Sequence, residues 1–417
     1  MTTFEPRGNT RALVLATLAF TVSFYAWSML GPLGPDLQDA LGLSEVQLAV
    51  VVAVPVLMGS LMRIPLGMLT DVRGGRAVFT WLMAFTVVPL VALTLWHDSF
   101  ASIVVFGFFL GFAGASFAVG IPFLSRWYPR SRQGVVLGIY GMGMGGTVIA
   151  GLTAPRIADA WGISAPFIVA AVLVGAMAVA FWVAARNAPV ERPKAAGGLL
   201  APLRVFRERP AAWAPTFYYF LVFGGFVAMF AYLPKLLTSV HDLDKPDAAA
   251  RAAGFALVAV IARPIGGWLS DRLDARMVLR VSFVATAVLA LGLAPLYDEM
   301  VPLTIFALSM AAALGLGTGA VFKLVAQDFP NEVGAVTGVV GAAGGLGGFF
   351  PPLVMAFFKS TTGDYFFGFA LLAVTAVAAL VVLQLMGRAS GGRRADLRVR
   401  DVAGGVGPLG VARRERS

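Results

Sequence analysis

The chain has 417 residues, 59% of them hydrophobic and only 13% charged, with a formal net charge of +10. That balance is too apolar for a soluble domain, whose surface must carry charge, so the chain reads as a polytopic membrane protein. Cysteine is absent, which excludes disulfides, thiolate metal sites and cysteine nucleophiles.

Apolar runs long enough to cross the hydrocarbon as helix, about 20 residues each, fall near 11–32, 46–69, 77–96, 101–124, 134–155, 164–185, 213–237, 250–270, 277–297, 302–323, 334–356 and 364–386. The first is too long for a signal-peptide core and lacks a small-residue cleavage pattern, so it is read as a retained helix. Its Phe24, Tyr25 and Trp27 are read as packing, with an aromatic rim to a pathway as the alternative.

Basic residues concentrate in the N-terminus, alternate loops and the C-terminal tail, and only Arg156, Lys235, Lys245, Arg251 and Lys359 fall in loops on the other side. This asymmetry places both termini in the cytoplasm of a multi-pass cytoplasmic membrane protein. It accounts for the positive charge without nucleic acid as a partner. His97 and His241 fall in the opposite loops and are read as solvated.

The second run carries Arg63 within RIPLGMLTDVRGGR, and two hundred positions later the eighth carries Arg263 within RPIGGWLSDRLDAR. An arginine cannot escape burial by deprotonating, so inside a membrane it pairs or lines a polar pathway. No carboxylate lies near the middle of either run, and a substrate anion is the expected partner. Snorkelling, or hydrogen bonds to carbonyls of neighbouring helices, is the alternative.

The fifth run, GVVLGIYGMGMGGTVIAG from Gly134, is matched by GAVTGVVGAAGGLGGFFP from Gly334, again two hundred positions on. Glycines at this density let helix backbones approach and slide, and Gly141, Gly145, Gly341 and Gly345 are expected to be conformational glycines on which two halves rock. GMGMGG lies inside a membrane run and is not a nucleotide loop. The longest polar interruption, from Arg186 to Pro210, separates the sixth and seventh runs. The expected organisation is an N-terminal six-helix bundle over 1–186, a cytoplasmic linker over 187–212, a C-terminal six-helix bundle over 213–387 and a basic, disordered cytoplasmic tail over 388–417. The tail is also suited to anionic lipid headgroups. The fold class is therefore an all-α membrane protein of twelve transmembrane helices in two pseudo-symmetric bundles. Lys323, near the end of the tenth run, is read as snorkelling, with an anion way station as the lesser reading. No catalytic set, metal cluster or cofactor motif is visible, and the chain is read as a carrier rather than an enzyme.

At these residues the chain resembles the major facilitator superfamily. GMLTDVRGGR, with Gly67, Leu69, Asp71, Gly74 and Arg76, is similar to that superfamily's signature between its second and third helices, and GWLSDRLDAR, with Gly267, Asp271, Arg272 and Arg276, is a weaker echo. Asp71, Arg76, Asp271 and Arg272 are expected to form a cytoplasmic gate of charge-assisted bonds. More narrowly, AGASFAVGIPFLSRWYP, GIYGMGMGGT, YYFLVFGGF, GTGAVFKLV and GAAGGLGGFFPP resemble the nitrate/nitrite porter family. The resemblance implies that Arg63 and Arg263 contact the anion and that Phe117, Tyr219 and Phe223 flank it. Tyr219 and Phe223 are four apart and share a helix face. Met144 and Thr318 stand where that family often has asparagine, which leaves nitrate-versus-nitrite preference open.

Two guanidinium forks suit a planar oxyanion, and aromatic faces favour a flat ligand over tetrahedral sulfate or phosphate. Nitrate, nitrite and protons are the implied partners of a monomer in the bilayer. Because two desolvated arginines without an anion would be costly, exchange of nitrate for nitrite is favoured, with proton symport as the alternative. A drug or organic-solute transporter of the same superfamily is the remoter alternative, since an uncharged or cationic substrate has no use for the arginine pair.

Overall fold

The computed structural model describes residues 8–189, 201–362 and 364–404. Among them twelve long helices carry the apolar runs: α1 Thr10–Trp27, α2 Glu45–Arg73, α3 Gly75–Leu95, α4 Phe100–Ser125, α5 Arg130–Trp161, α6 Ser164–Ala184, α7 Trp213–Val240, α8 Lys245–Leu273, α9 Ala275–Leu293, α10 Met300–Asp328, α11 Val333–Thr362 and α12 Phe366–Gly404. No strand occurs among the described residues.

Local chemistry starts and stops these helices. Ser44 and Gln47 close a reciprocal capping box at the head of α2, with bonds of 3.3 and 2.9 Å. The Asp244 side chain caps α8 by accepting from Asp247 N at 2.8 Å. α1 ends five residues earlier than its apolar run because Gly31, Pro32, Gly34 and Pro35 turn the chain into the short helix Gly34–Leu41. Gly74, at φ 84°, makes the tight α2–α3 turn, and Asp274 occupies the corresponding α8–α9 turn at φ 89°.

α12 continues through residues 388–404, where disorder is expected from the sequence; Arg, Ala and Leu there are adequate helix formers and extend the membrane helix outward. Residues 405–417 lie outside the described residues, as does 190–200 of the linker. The described linker holds an eight-residue helix, Ala201–Glu208.

The two sets of six helices repeat one packing pattern. α3 packs on α6, as α9 does on α12, and their outer faces carry large apolar side chains such as Trp81 and Val288, 73% and 62% exposed. Such faces suit lipid rather than water. α2 of the first set packs along α11 of the second, while α5 packs along α8. These seams depend on missing side chains: a Cβ on Gly138 would lie 2.6 Å from Pro264 Cα, and one on Gly338 would lie 2.8 Å from Ile64 Cα. Without a hydrophobic force between helices in lipid, such close backbone contact supplies the dispersion attraction that joins them.

Symmetry is incomplete at mid-membrane. α4 is interrupted by a 3-10 segment at Gly111–Ala115 and α5 by another at Met142–Gly145, whereas α10 and α11 stay α-helical at the corresponding positions. A 3-10 stretch breaks the i to i−4 ladder and frees carbonyls for other donors.

Candidate functional site

Arg63 of α2 and Arg263 of α8 project into the interface between the two sets, with only 1% and 3% of their surfaces exposed. Each reaches the opposite set. Arg63 Nε donates to Gly114 O at 3.1 Å, where the α4 ladder is broken, and its Nη1 donates to Gly341 O of α11. Arg263 Nη1 donates to Gly141 O of α5 at 3.1 Å. The bonds to Gly341 and Gly141 are related by the two-hundred-residue repeat. Arg263 Nη2 is buried with no hydrogen-bond partner among the described residues.

Aromatic rings line the same place. Phe117, Tyr219 and Phe223 form a parallel column: Phe117 and Tyr219 are 5.9 Å apart at 5°, and Tyr219 and Phe223 are 5.0 Å apart at 6°. Both guanidinium carbons lie near the Phe223 ring, Arg63 at 5.6 Å and Arg263 at 5.5 Å from its centroid, within cation–π range. Tyr219 lies between Phe117 and Phe223 in this column. The helical spacing of 219 and 223 stacks these neighbours on one face.

Three residues that sequence reasoning did not single out complete the cluster. Phe322 of α10 meets both Phe117 and Tyr219 edge-on, at 4.7 and 4.6 Å. Tyr140 of α5 is fully buried, stacks near Phe117, and donates from its hydroxyl to Ser116 O at 2.7 Å. Gly114 supplies the carbonyl noted above. Phe322 and Tyr140 carry no signal apart from their place beside motif residues, because an aromatic in an apolar helix is ordinarily packing.

Met144 and Thr318 are buried, but the Thr318 hydroxyl is spent on Gly315 O of its own helix at 2.7 Å. Gly141 and Gly341 face the arginines directly, Gly145 faces Val260, and Gly345 faces Ser60 and Arg63.

The expected gate is only half as expected. Asp71 caps α11 by accepting from Ala335 N at 3.2 Å, and it pairs with Nη2 of Arg126, the residue that follows α4, at 3.1 Å. Asp271 caps α5 by accepting from Gly134 N at 2.9 Å and Val135 N at 2.8 Å, and it pairs with Lys323 Nζ of α10 at 2.6 Å. A carboxylate at a helix N-terminus meets unpaired amides and the positive end of the helix dipole together. Arg76 and Arg272 do not reach these aspartates. The Arg76 guanidinium bonds Trp182 O and sits 4.3 Å over the Trp182 ring, and Arg272 lies 4.1 Å over the Trp268 ring. Arg76 lies past the α2–α3 turn at the head of α3, and Arg272 lies in the last turn of α8 beside Asp271. Lys323 does not snorkel: it is 2% exposed and also donates to Arg130 O in the first set. The signal available was a lysine in an apolar run, two helices after the Asp271 echo.

A family model described as Major Facilitator Superfamily matches residues 16–352 and, in a second match, 250–397. The chain is 42% identical over 386 residues to a probable nitrate/nitrite transporter, NarK2, of Mycobacterium tuberculosis, covering 92% of this chain and 98% of that one. It is 35% identical to a probable nitrate transporter, NarT, of Staphylococcus carnosus, covering 89% and 94%, and 34% identical to a nitrite extrusion protein of Bacillus subtilis, covering 89% and 93%. Among solved structures, the human organic anion transporter MFSD10 superposes with a TM-score of 0.77 at 14% identity, covering 90% and 99%, and the proton:xylose symporter XylE with 0.76 at 12%, covering 90% and 95%; both speak to the fold alone. The chain belongs to the major facilitator superfamily and, within it, to the family of the nitrate and nitrite transporters. It is a multi-pass membrane transporter and not an enzyme.

Proposed function

We propose that this protein carries nitrate and nitrite across the cytoplasmic membrane by alternating access, holding the anion between Arg63 and Arg263. The observation that carries the reading is that one buried arginine from each half meets the other at a column of flat rings. A monovalent planar anion can share two guanidinium forks, and the parallel faces of Phe117, Tyr219 and Phe223 favour a flat ligand. Nitrate and nitrite enter because the similar proteins bear those names.

The moving bodies are the bundles 1–186 and 213–387 joined by the linker 187–212, acting as a monomer with both termini in the cytoplasm. On that orientation the Asp71 and Asp271 caps are cytoplasmic latches. Exchange of nitrate for nitrite is the favoured mode, because an anion neutralises the arginines during each crossing. Proton symport is the second reading, favoured by the buried Lys323–Asp271 ion pair, which links α10, α8 and α5.

Uptake of labelled nitrate into proteoliposomes loaded with nitrite tests the proposal. Saturable uptake, inhibited by external nitrite and untouched by sulfate, is expected. Inhibition by sulfate as strong as by nitrite would remove the planar-anion reading.

A further inference from the structure

The guanidinium donors of the two arginines are bonded to main-chain carbonyls of the opposite half, Arg63 to Gly341 O and Arg263 to Gly141 O. The two bonds form a symmetric cross, one per half, at positions related by the sequence repeat. We propose that these glycine carbonyls replace the anion as the arginines' partners between transport events, so that the carrier re-orients without cargo and exchange is its faster mode but not its obligatory one. This inference rests on the anion-carrier reading above and concerns its coupling.

The physical argument begins with the cost of crossing. A guanidinium enclosed in a dry interface needs its N–H groups satisfied, and a charged donor left unmade costs more than a neutral one. A bound nitrate would satisfy them and cancel charge. A carbonyl oxygen satisfies one of these donors, Nη1 of each arginine, with a dipole that supports the charge without cancelling it, and leaves Arg263 Nη2 without a partner among the described residues. The faces of Phe223 and Phe117 add a second, weaker acceptor surface, with Arg63 6.0 Å from the Phe117 centroid. Both donors reach across the seam, so the bonds form only when the halves are together around the site. Carbonyl and anion therefore compete for Nη1 of each arginine, and each permits closure in its turn.

Glycine is needed for this contact. A Cβ on Gly341 would lie 3.0 Å from Arg63 Cδ, close enough to push the side chain off its carbonyl, while one on Gly141 would lie 3.4 Å from Arg263 Cδ and Nη1, an ordinary contact. The two positions thus differ in how well they tolerate a methyl group. Gly341→Ala is the sharper probe and Gly141→Ala the milder one. A methyl group on Gly151 would meet no other described residue within 4 Å, and that position serves as the control.

The experiment compares two nitrate fluxes in the same proteoliposomes, with potassium and valinomycin clamping the membrane potential. One is net uptake into anion-free vesicles, which requires return of the unloaded carrier. The other is exchange into nitrite-loaded vesicles, which does not. The wild type is expected to show protein-dependent net uptake, slower than exchange. Gly341→Ala should lower net uptake about tenfold more than it lowers exchange, the scale of one lost hydrogen bond to a charged group; Gly141→Ala should change that ratio less and Gly151→Ala not at all. Fast exchange with no net uptake in the wild type would overturn the inference and leave the carrier reading standing, as would equal loss of both fluxes in a folded Gly341→Ala protein. If Gly341→Ala does not fold, the wild-type comparison still decides. Absence of both fluxes in the wild type would overturn the carrier reading and this inference with it.

Discussion

A guanidinium has no neutral form to retreat to in hydrocarbon, and this governs the residue scale. Arg63 and Arg263 each serve planar, directional acceptors, so a lysine would keep the charge and lose the fork. Arg63→Lys and Arg263→Lys are each expected to lower nitrate transport by about a hundredfold, two lost charge-assisted bonds' worth, while the purified proteins keep wild-type gel-filtration profiles. Near-normal transport by either variant would take that arginine out of the site. A second residue-scale expectation concerns Asp274, which holds φ 89° where the first half has Gly74. Its side chain recovers part of the strain by capping Arg276 N at 3.2 Å. Asp274→Gly should stabilise the protein by about 1 kcal/mol, net of that bond, seen as a higher melting temperature in detergent with transport unchanged.

At the scale of elements, two seams and two latches control the halves. Asp71 and Asp271 cap α11 and α5 of the opposite half, but their cations differ: a permanently charged Arg126 on one side and Lys323 on the other. Lys323 also bonds the other half directly, through Arg130 O, so the second latch has more to lose. Lys323→Met should therefore favour opening at the latch end. Because the chain has no cysteine, a single cysteine at Gln133 can report it, and labelling several-fold faster in the Lys323→Met background is the expected result; an unchanged rate would assign Lys323 to packing. Along the seams, Gly138 and Gly338 meet backbone rather than side chain, so Gly338→Leu has nothing flexible to displace. Transport should fall below about a tenth of wild type while nitrate still quenches intrinsic tryptophan fluorescence. Full transport by that variant would show that the halves do not need this contact.

For the whole molecule, orientation and coupling are the quantities to measure. Basic loops on one side predict that a cysteine at Ser131 is labelled only after permeabilisation and one at His97 from outside; the reverse pattern would invert the latches' side. Nitrite-loaded liposomes should take up nitrate faster than anion-free ones without a pH gradient. Nitrate uptake that requires an inward proton gradient and brings measurable proton entry would shift the mechanism to symport and direct attention to Lys323 and Asp271.

The number of membrane helices, the duplication and the two arginines were legible in the chain because each depends on local composition or on a repeat: an apolar run must be a helix in lipid, and a charge inside it stands out. Carbonyls of neighbouring helices were legible as an alternative partner, but not which carbonyls meet those arginines. Their partners are main-chain carbonyls of Gly114, Gly141 and Gly341, which have the same chemistry at every position and become acceptors only where a 3-10 turn or a missing Cβ exposes them. Arg126 and Lys323 displaced Arg76 and Arg272 as latch cations for a related reason. Sequence proximity favoured the arginines beside each aspartate, but Arg76 packs on Trp182 and Arg272 on Trp268 of its own helix. The cations that reach the aspartates come from the end of α4 and from α10, brought there by packing across the bundle. Composition and periodicity thus determine which segments cross the membrane and which charges are buried. The meeting of the two halves decides what those charges bind, because a dry interface satisfies a donor with whatever acceptor the opposite helix presents.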